Sequence, residues 1–189
     1  MSASTLSDEA LLAAYAAGDA AAAAPLAERH APRVLAVALR MLNDVQDAED
    51  VTQEALLRLW RIAPEWEAGR AQVSTWLYRV AANLCTDRLR RRARLSPLEG
   101  AAEPADPAPG ADARIEARER QDALGAALMD LPERQRLAVV LRHIEELPNP
   151  EIAATMGVSV KAVESLTARG RAALGRALGH RKEELGYDR

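Results

Sequence analysis

Residues 149–178 read NPEIAATMGVSVKAVESLTARGRAALGRAL, an order that two helices joined by a tight turn accommodate and little else does. Asn149 is a good helix N-cap and Pro150 a good first helical residue, because the N–H that proline lacks would be unpaired there anyway. Gly157 can end the first helix, Gly-Val-Ser makes the turn, and Ser159 is placed to cap the second helix. At about 100° per residue, Val163, Leu166, Gly170, Ala173, Leu174 and Ala177 fall on one side of that helix. Lys161, Glu164, Ser165, Ala168, Arg169, Arg171 and Arg176 fall on the other. A short amphipathic helix behind a glycine turn predicts a helix-turn-helix, whose second helix can enter a DNA major groove. From Ser159 to Lys182 six basic residues and one acidic residue leave a local charge of +5, in a chain of net charge −3. At this point an ordinary helical hairpin with a solvated basic face remains the alternative.

Composition narrows the class. Hydrophobic residues make up 49% of the 189, which allows a real core, yet there is no Phe and aromatics are only 3%. Ala, Leu and Val must fill that core, which suits closely packed helices better than sheet. Cys85 is the only cysteine, so neither an intrachain disulfide nor a Cys-rich zinc site is expected, in keeping with a reducing cytoplasm. Asp8 and Glu9 precede the first apolar run, which is not the start of a signal peptide. Gly18-Asp19 breaks the Ala-rich run, which is too short and weakly apolar to span a bilayer. With a mildly acidic total, a nucleic-acid role has to rest on local patches.

Charge divides the chain. Residues 1–94 carry 12 basic and 12 acidic residues, residues 95–113 none and four, residues 114–189 13 and 12. The middle segment, LSPLEGAAEPADPAPGADA, has four prolines and two glycines. It predicts a flexible, semi-extended acidic linker between two all-helical domains. In the first domain, Ser7 caps a helix to about Ala24. A second runs from Leu26 to about Leu42 with Leu35, Leu39 and Leu42 on one side, and Asn43-Asp44 breaks it.

Residues 47–63, DAEDVTQEALLRLWRIA, place Ala48, Val51, Ala55, Leu59 and Ile62 on a core stripe. Asp47, Asp50 and Glu54 share a neighbouring arc, with Gln53, Leu57 and Trp60 beyond it. An apolar pair beside a carboxylate row points to a protein-binding surface with a polar rim. Packing of Leu57 and Trp60 on another helix of the same domain is the alternative. A divalent metal on the carboxylates is a third reading, but one helical row does not supply converging oxygens.

After a loop holding Trp66 and Gly69, residues 74–94 predict a helix with Leu77, Val80, Ala81, Leu84 and Leu89 on its buried side. Arg79, Asn83, Thr86, Asp87, Arg90 and Arg94 lie opposite, and five of the seven residues from Arg88 to Arg94 are arginine. Arginines grip phosphates, Asn and Thr read base edges, and tryptophans, Trp76 at the helix start being close in sequence to Trp66, offer stacking faces for unpaired bases. A solvated helix end suited to the helix dipole is the alternative. In the second domain one helix carries Ala123, Leu124, Ala127 and Leu128 and ends at Met129-Asp130. Another starts after Leu131-Pro132 with Leu137, Val140, Leu141 and Ile144 buried, and the tail from Gly179 is expected to fray.

Together these pieces resemble bacterial RNA polymerase sigma factors of the sigma-70 superfamily, of the small extracytoplasmic-function (ECF) type with regions 2 and 4 only. DAEDVTQEALLRLW resembles region 2.2, and STWLYRVAANLCTDRLRRR resembles regions 2.3 and 2.4. LPERQRLAVVLRHIEEL resembles region 4.1, and EIAATMGVSVKAVESLTARGRAAL resembles region 4.2. The resemblance runs from about Leu26 to Leu178.

It implies an all-α fold with a region 2-like domain at 1–94, a flexible acidic linker at 95–113 and a region 4-like helix-turn-helix domain at 114–189. It further implies that Asp47, Asp50, Gln53, Glu54, Leu57 and Trp60 dock on core RNA polymerase. Trp76, Arg79, Asn83, Thr86, Asp87, Arg88, Arg90 and Arg91 would meet the −10 element, partly single-stranded. Ser159, Lys161, Glu164, Ser165, Ala168, Arg169 and Arg171 would face the duplex −35 element. Glu164 and Ala168 depart from the basic or bulky side chains of many members, so the −35 sequence does not carry over. The same resemblance implies a protein that is not itself an enzyme and takes no cofactor or metal. It would be monomeric when free, cytoplasmic, restrained by an anti-sigma factor and active in stress responses. Its acidic linker would lie in the RNA exit path. Two other classes stay open: a stand-alone helix-turn-helix regulator, and a metal-dependent hydrolase on Asp47, Asp50 and Glu54. For the latter, His30, His143 and His180 are scattered in sequence.

Overall fold

The computed structural model describes residues 6–95 and 112–179, and for Leu95 and residues 112–120 the backbone alone. The expectation for the acidic linker over residues 96–111 and that for the tail beyond Gly179 therefore lie outside the described residues, while the linker's expected ends, Leu95 and residues 112–113, are helical. Eight α-helices are described: α1 Asp8–Ala16, α2 Ala23–Leu42, α3 Val45–Ile62, α4 Val73–Leu95, α5 Asp112–Met129, α6 Glu133–His143, α7 Asn149–Met156 and α8 Val160–Gly179. Short 3₁₀ turns at Ala20–Ala22 and Ala63–Glu65 complete the regular structure among these residues. Also among them, no helix is long and apolar enough to cross a membrane.

The first helix stops short of its expected end. Ser7 caps it, accepting from the Ala10 N–H at 3.2 Å, but Gly18 at φ 102° turns the chain and α1 ends at Ala16. Alanine propensity alone does not carry a helix past a Gly-Asp pair whose aspartate caps the next turn, here through the Ala21 N–H at 3.0 Å. Helix α2 accordingly starts at Ala23, before Pro25, because proline in a first turn forgoes only an N–H that has no intrahelical partner. The buried face of α2 is Leu26, His30, Val34, Val37, Ala38, Met41 and Leu42, while Leu35 and Leu39 are half-buried. That face is wider and rotated from the expected leucine stripe because α2 packs on helices from both halves of the chain. Asn43 at φ 51° ends α2, donating to the Leu39 carbonyl at 2.8 Å. Helix α1 is tied across α2: Arg29 donates to the Leu6 carbonyl and to Asp8, each at 2.8 Å, and His30 pairs with Asp8 at 2.7 Å.

In the second half, α6 begins directly after Pro132, and Arg136 to Leu141 are all buried. The expected stripe of Leu137, Val140 and Leu141 is there, with Ile144 half-buried. Ala138 and Val139 join it because α6 is covered by α8 and by α2. Helix α7 includes Asn149 as its first residue with Pro148 at the cap position, a shift of one residue from the expected cap. Gly157 at φ 63° ends it, and Ser159 caps the last helix by accepting from the Ala162 N–H at 3.2 Å. The two halves are not held apart. Helices α2 and α4 pack against α5, α6 and α7, and one apolar cluster runs from Leu11 through to Val163.

Close approach of α6 and α8 depends on Gly170. A Cβ there would lie 2.5 Å from Val139 Cγ2 and 3.3 Å from the Gln135 carbonyl oxygen. Gly175, on the same helix, has nothing within 4 Å of its Cβ position. Replacing an exposed helical glycine by alanine gains about 1 kcal/mol of helix propensity, whereas overpacking costs about 1–3 kcal/mol. Gly170→Ala should therefore lower the midpoint of thermal unfolding and Gly175→Ala should raise it, as followed by circular dichroism.

Candidate nucleic-acid and protein interfaces

Helix α3 presents the acidic row. Asp44 caps it, its Oδ1 accepting from the Asp47 N–H at 2.9 Å, and that hydrogen bond holds the Asp44 carboxyl below the usual carboxylate range. The row is not a free line of charges. Asp47 is half-buried and gripped by Arg88 and Arg92 of α4. Arg88 also lies 3.6 Å from Asp50, and Arg92 2.9 Å from Asp44. Glu54 pairs with Arg58 one turn on, at 2.8 Å, and this hydrogen bond lowers its pKa. Among the described residues no group of three or more His, Cys, Asp and Glu is placed to hold a metal ion.

Leu57 is 41% exposed, as expected of an outward apolar residue. Trp60 is half-buried, its ring 5.0 Å from that of Tyr15, so α1 covers part of it. Asp50, Gln53, Glu54, Leu57 and Arg58 form one wall of a groove of about 510 Å³ whose other wall is Leu84, Asp87, Arg88 and Arg91. The polymerase-facing and −10-facing sets expected from sequence thus meet across a single groove.

Along α4, Arg79, Asn83, Asp87, Arg90 and Arg91 are exposed on a helix held from behind by Leu77, Tyr78, Ala81 and Cys85. Thr86 is placed differently: its hydroxyl donates to Glu133 of α6 and it is half-buried. Cys85 is fully buried, and burial pushes its thiol up to about 12, so it is core rather than a reactive thiol. Trp76 is half-buried, edge-on to Trp66 with ring centroids 6.0 Å apart. The two rings share a second cavity of about 390 Å³ with Ile62, Glu65, Glu67, Arg70, Ala71 and Arg79. The Trp66 indole N–H is buried without a partner. The sequence brings Trp66 near Trp76 as a stacking face, but the residue set expected at the −10 element includes neither Trp66 nor Arg70. The signal is present in the spacing of Trp66 and Trp76 on either side of a glycine loop, but only the fold shows the two rings closing one cavity.

On α8, Ser159, Lys161, Glu164, Ser165, Ala168, Arg169 and Arg171 are all exposed, while Val163 and Gly170 are buried against the rest of the domain. Ser159 is committed to its cap and Arg169 reaches back to the Ser165 carbonyl at 3.2 Å. Val160, 39% exposed, was not expected on this face. Burial and the nearby charges of Arg142 and Arg171 lower the pKa of His143, so the imidazole stays neutral at neutral pH and the charge there is carried by arginine.

A helix-turn-helix with an outward basic helix, packed on a helical bundle with an arginine- and tryptophan-lined face, defines a nucleic-acid-binding protein. Comparison with known proteins agrees and goes further. Residues 26–95 match the family Sigma-70 region 2, and residues 121–174 match Sigma-70, region 4. The ECF RNA polymerase sigma factor SigM of Mycobacterium tuberculosis is 39% identical over 176 residues, covering 92% of this chain and 86% of that one. The ECF RNA polymerase sigma factor SigE of Mycolicibacterium smegmatis is also 39% identical, over 77% of this chain, which spans 57% of SigE's length. Among solved structures, CnrH in complex with the cytosolic domain of CnrY superposes with a TM-score of 0.68 at 30% identity, covering 92% of this chain and 97% of CnrH. The chain belongs to the extracytoplasmic-function sigma factors of the sigma-70 family.

The Asp44 cap is directly testable. Asp44→Ala should cost about 1 kcal/mol in urea unfolding at neutral pH. Because the folded-state pKa of Asp44 is depressed, the contribution of its ionised form is full above the ordinary carboxyl value of 3.8. It is lost as the pH falls through the folded-state value, so the gap between wild type and variant should narrow in acid.

Proposed function

We propose that this chain binds core RNA polymerase through the α3 wall of the groove and places it on promoters by reading the −10 element with α4 and the −35 element with α8. The observation that supports this reading is the groove itself: a wall with Asp50, Glu54 and the exposed Leu57, beside Arg58, faces a wall with Arg88, Arg91 and Asp87 that continues into the exposed face of α4. In this reading residues 1–94 serve the polymerase and the −10 element and residues 114–189 the −35 element. Residues 95–113 act as the acidic linker.

Each role has a physical basis. Asp50, Gln53, Glu54 and Leu57 offer a partner charge and an apolar anchor, with Asp47 and Trp60 at the edge of that surface. Arg79, Asn83, Asp87, Arg90 and Arg91 combine phosphate and base contacts. The cavity between Trp66 and Trp76 has aromatic walls, the cations Arg70 and Arg79 and an unpartnered indole N–H. That chemistry suits one unstacked base, held by stacking and by a donor to its edge. Lys161, Ser165, Arg169 and Arg171 present the polar and charged groups of α8 to duplex DNA, beside Ser159, Glu164 and Ala168. The chain supplies binding energy that offsets unpairing, and the chemistry of RNA synthesis belongs to the core enzyme. It works in the cytoplasm, where an anti-sigma factor covering the α3 and α8 surfaces would keep it from the polymerase.

Reversing the charge of the acidic wall tests docking. Asp50→Arg with Glu54→Arg should abolish co-purification with core polymerase while helicity and the melting temperature stay close to wild type. Normal core binding by that variant would remove the docking assignment.

The two DNA faces should separate in their effects. Arg171→Ala should weaken binding to duplex −35 DNA and reduce the log–log salt slope by about one. Asn83→Ala should leave −35 binding intact and lower promoter opening, read by permanganate reactivity of unpaired thymines. A change in −35 preference alone from Asn83→Ala would overturn the assignment of α4.

A further inference from the structure

Helix α1 is fastened at both ends, and from its first turn it reaches the loop that walls the tryptophan cavity. At its start Asp8 meets Arg29 at 2.8 Å and His30 at 2.7 Å, both on α2. Partial burial works to raise the Asp8 pKa, but Arg29 and His30 outweigh it and hold the carboxyl below its usual range. Near its end Tyr15 lies against Trp60 of α3, with the ring centroids 5.0 Å apart. Between these points α1 packs on the turn Ala63–Glu65, directly before Trp66. Glu9 therefore stands on a helix held against two others. Its Oε1 accepts the Gly69 N–H at 3.0 Å, across 60 residues of sequence.

The loop itself has little else to hold it. Residues 66–72 lie outside any helix, and Glu67 to Gln72 are all exposed. Within the loop the Arg70 N–H donates to the Glu67 carbonyl at 3.3 Å, and the Arg70 side chain donates to the Glu67 carboxylate at 3.1 Å. An ion pair this exposed adds little order of its own. Gly69 takes φ 79°, one of several regions open to a glycine, so the residue keeps that conformation through its surroundings rather than by its own preference. Among the described residues, the hydrogen bond that joins the tip of this loop to another element is the one from Gly69 to Glu9.

What the loop carries gives this bond its consequence. Glu67, Arg70 and Ala71 line the cavity together with Trp66, Trp76 and Arg79. Two cations, a carboxylate and the unpartnered Trp66 indole N–H can tell one base from another provided they keep fixed positions. A loop free to adapt satisfies a wrong base almost as well as the right one.

We propose that Glu9 is a positioning residue for the tryptophan cavity: by holding Gly69 it fixes the loop that brings Glu67 and Arg70 to the cavity wall, and so sets how strictly the cavity selects its base. This rests on the reading of that cavity as the seat of one unstacked base. Glu9 does not line the cavity and acts through the loop. With the loop released, the competent arrangement is a fraction of the population, and apparent affinity for the base falls by that fraction.

The first measurement uses the free chain labelled with nitrogen-15. Amide hydrogen exchange at Gly69 should be about tenfold faster in Glu9→Ala than in wild type. The thermal midpoint should stay close to wild type, because the bond is exposed. Glu9→Gln keeps an acceptor oxygen in the same place and should return exchange to within about threefold of wild type. Unchanged exchange at Gly69 in Glu9→Ala would overturn the proposal.

The second measurement uses holoenzyme formed with core polymerase, on promoters in which each −10 position carries each base in turn. Trp66→Ala identifies the position read by the cavity, as the one whose base preference in run-off transcription it removes. At that position Glu9→Ala should reduce the preference for the best base about fivefold, and Glu9→Gln should restore it. Preferences at the other −10 positions and across the −35 element should stay as in wild type, a pattern that a general loss of stability does not produce. Loss of preference in Trp66→Ala with none in Glu9→Ala removes the role of Glu9 and leaves the base cavity standing. If Trp66→Ala alters no preference, the base cavity itself is wrong and the role given to Glu9 falls with it.

Discussion

One guanidinium sits at the centre of the molecule. Arg136 is 5% exposed and reaches three backbone carbonyls: Met41 at 2.6 Å, Met129 at 2.8 Å and Leu131 at 3.1 Å. Two of these belong to the C-terminal turns of α2 and α5, where carbonyls have no intrahelical donor and the helix dipole favours a cation. A fork of several donors suits this task, and a single ammonium would not satisfy carbonyls arriving from separate helix ends. Burial lowers the Arg136 pKa, but an arginine stays charged. The side chain thus solves two problems at once: it caps helices that end inside the structure, and it fastens α6 to α2. Its Nε has no partner, so the site is one N–H short of full satisfaction.

Small side chains make that centre possible. With no phenylalanine in the chain, the helices approach closely, and Ala38, Ala48, Ala55, Ala81 and Ala138 are all fully buried. Gly170 takes the closest approach, α8 onto α6. Close helix packing of this kind holds α8 rigidly from behind, so its outward residues are displayed on a fixed surface rather than on a mobile loop.

The helices and the turn at Gly157–Ser159 are legible in the sequence because each is a local pattern. Apolar spacing marks α3 and α4, and a glycine with a serine two residues later marks the start of α8. The break at Gly18 is also legible, yet the alanine run around it argues for a longer helix than the one that forms. The wide buried face of α2 is not legible, since a helix touched by both halves of the chain has no single stripe. Nor is the hydrogen bonding of Arg33 and Tyr78 to the buried Glu145. They are 112 and 67 residues away from it, and nothing local separates that glutamate from Glu146 beside it, which is exposed. For the site, the residue types are visible and their mutual engagement is not. Asp47 reads as an outward carboxylate and Arg88 as an outward cation, but the fold sets them against each other.

That engagement has an energetic consequence. Carboxylates of α3 and its cap and arginines of α4 neutralise one another, through Arg88 to Asp50 across the groove and through Arg88 and Arg92 to Asp44 and Asp47 beside it. These pairs are partly exposed, so each contributes little stability, about 0–1 kcal/mol, and little is lost when one is exchanged for an outside partner. A phosphate approaching Arg88 or Arg92 would compete with the carboxylates, and a basic group approaching Asp50 would compete with Arg88. Each exchange leaves the opposite wall with charge newly available. Binding on one wall would therefore favour binding on the other, and thermodynamic reciprocity would require the same coupling in both directions. If the two walls take a protein and a polyanion as proposed, weak internal pairs, rather than strong ones, are what would permit that coupling.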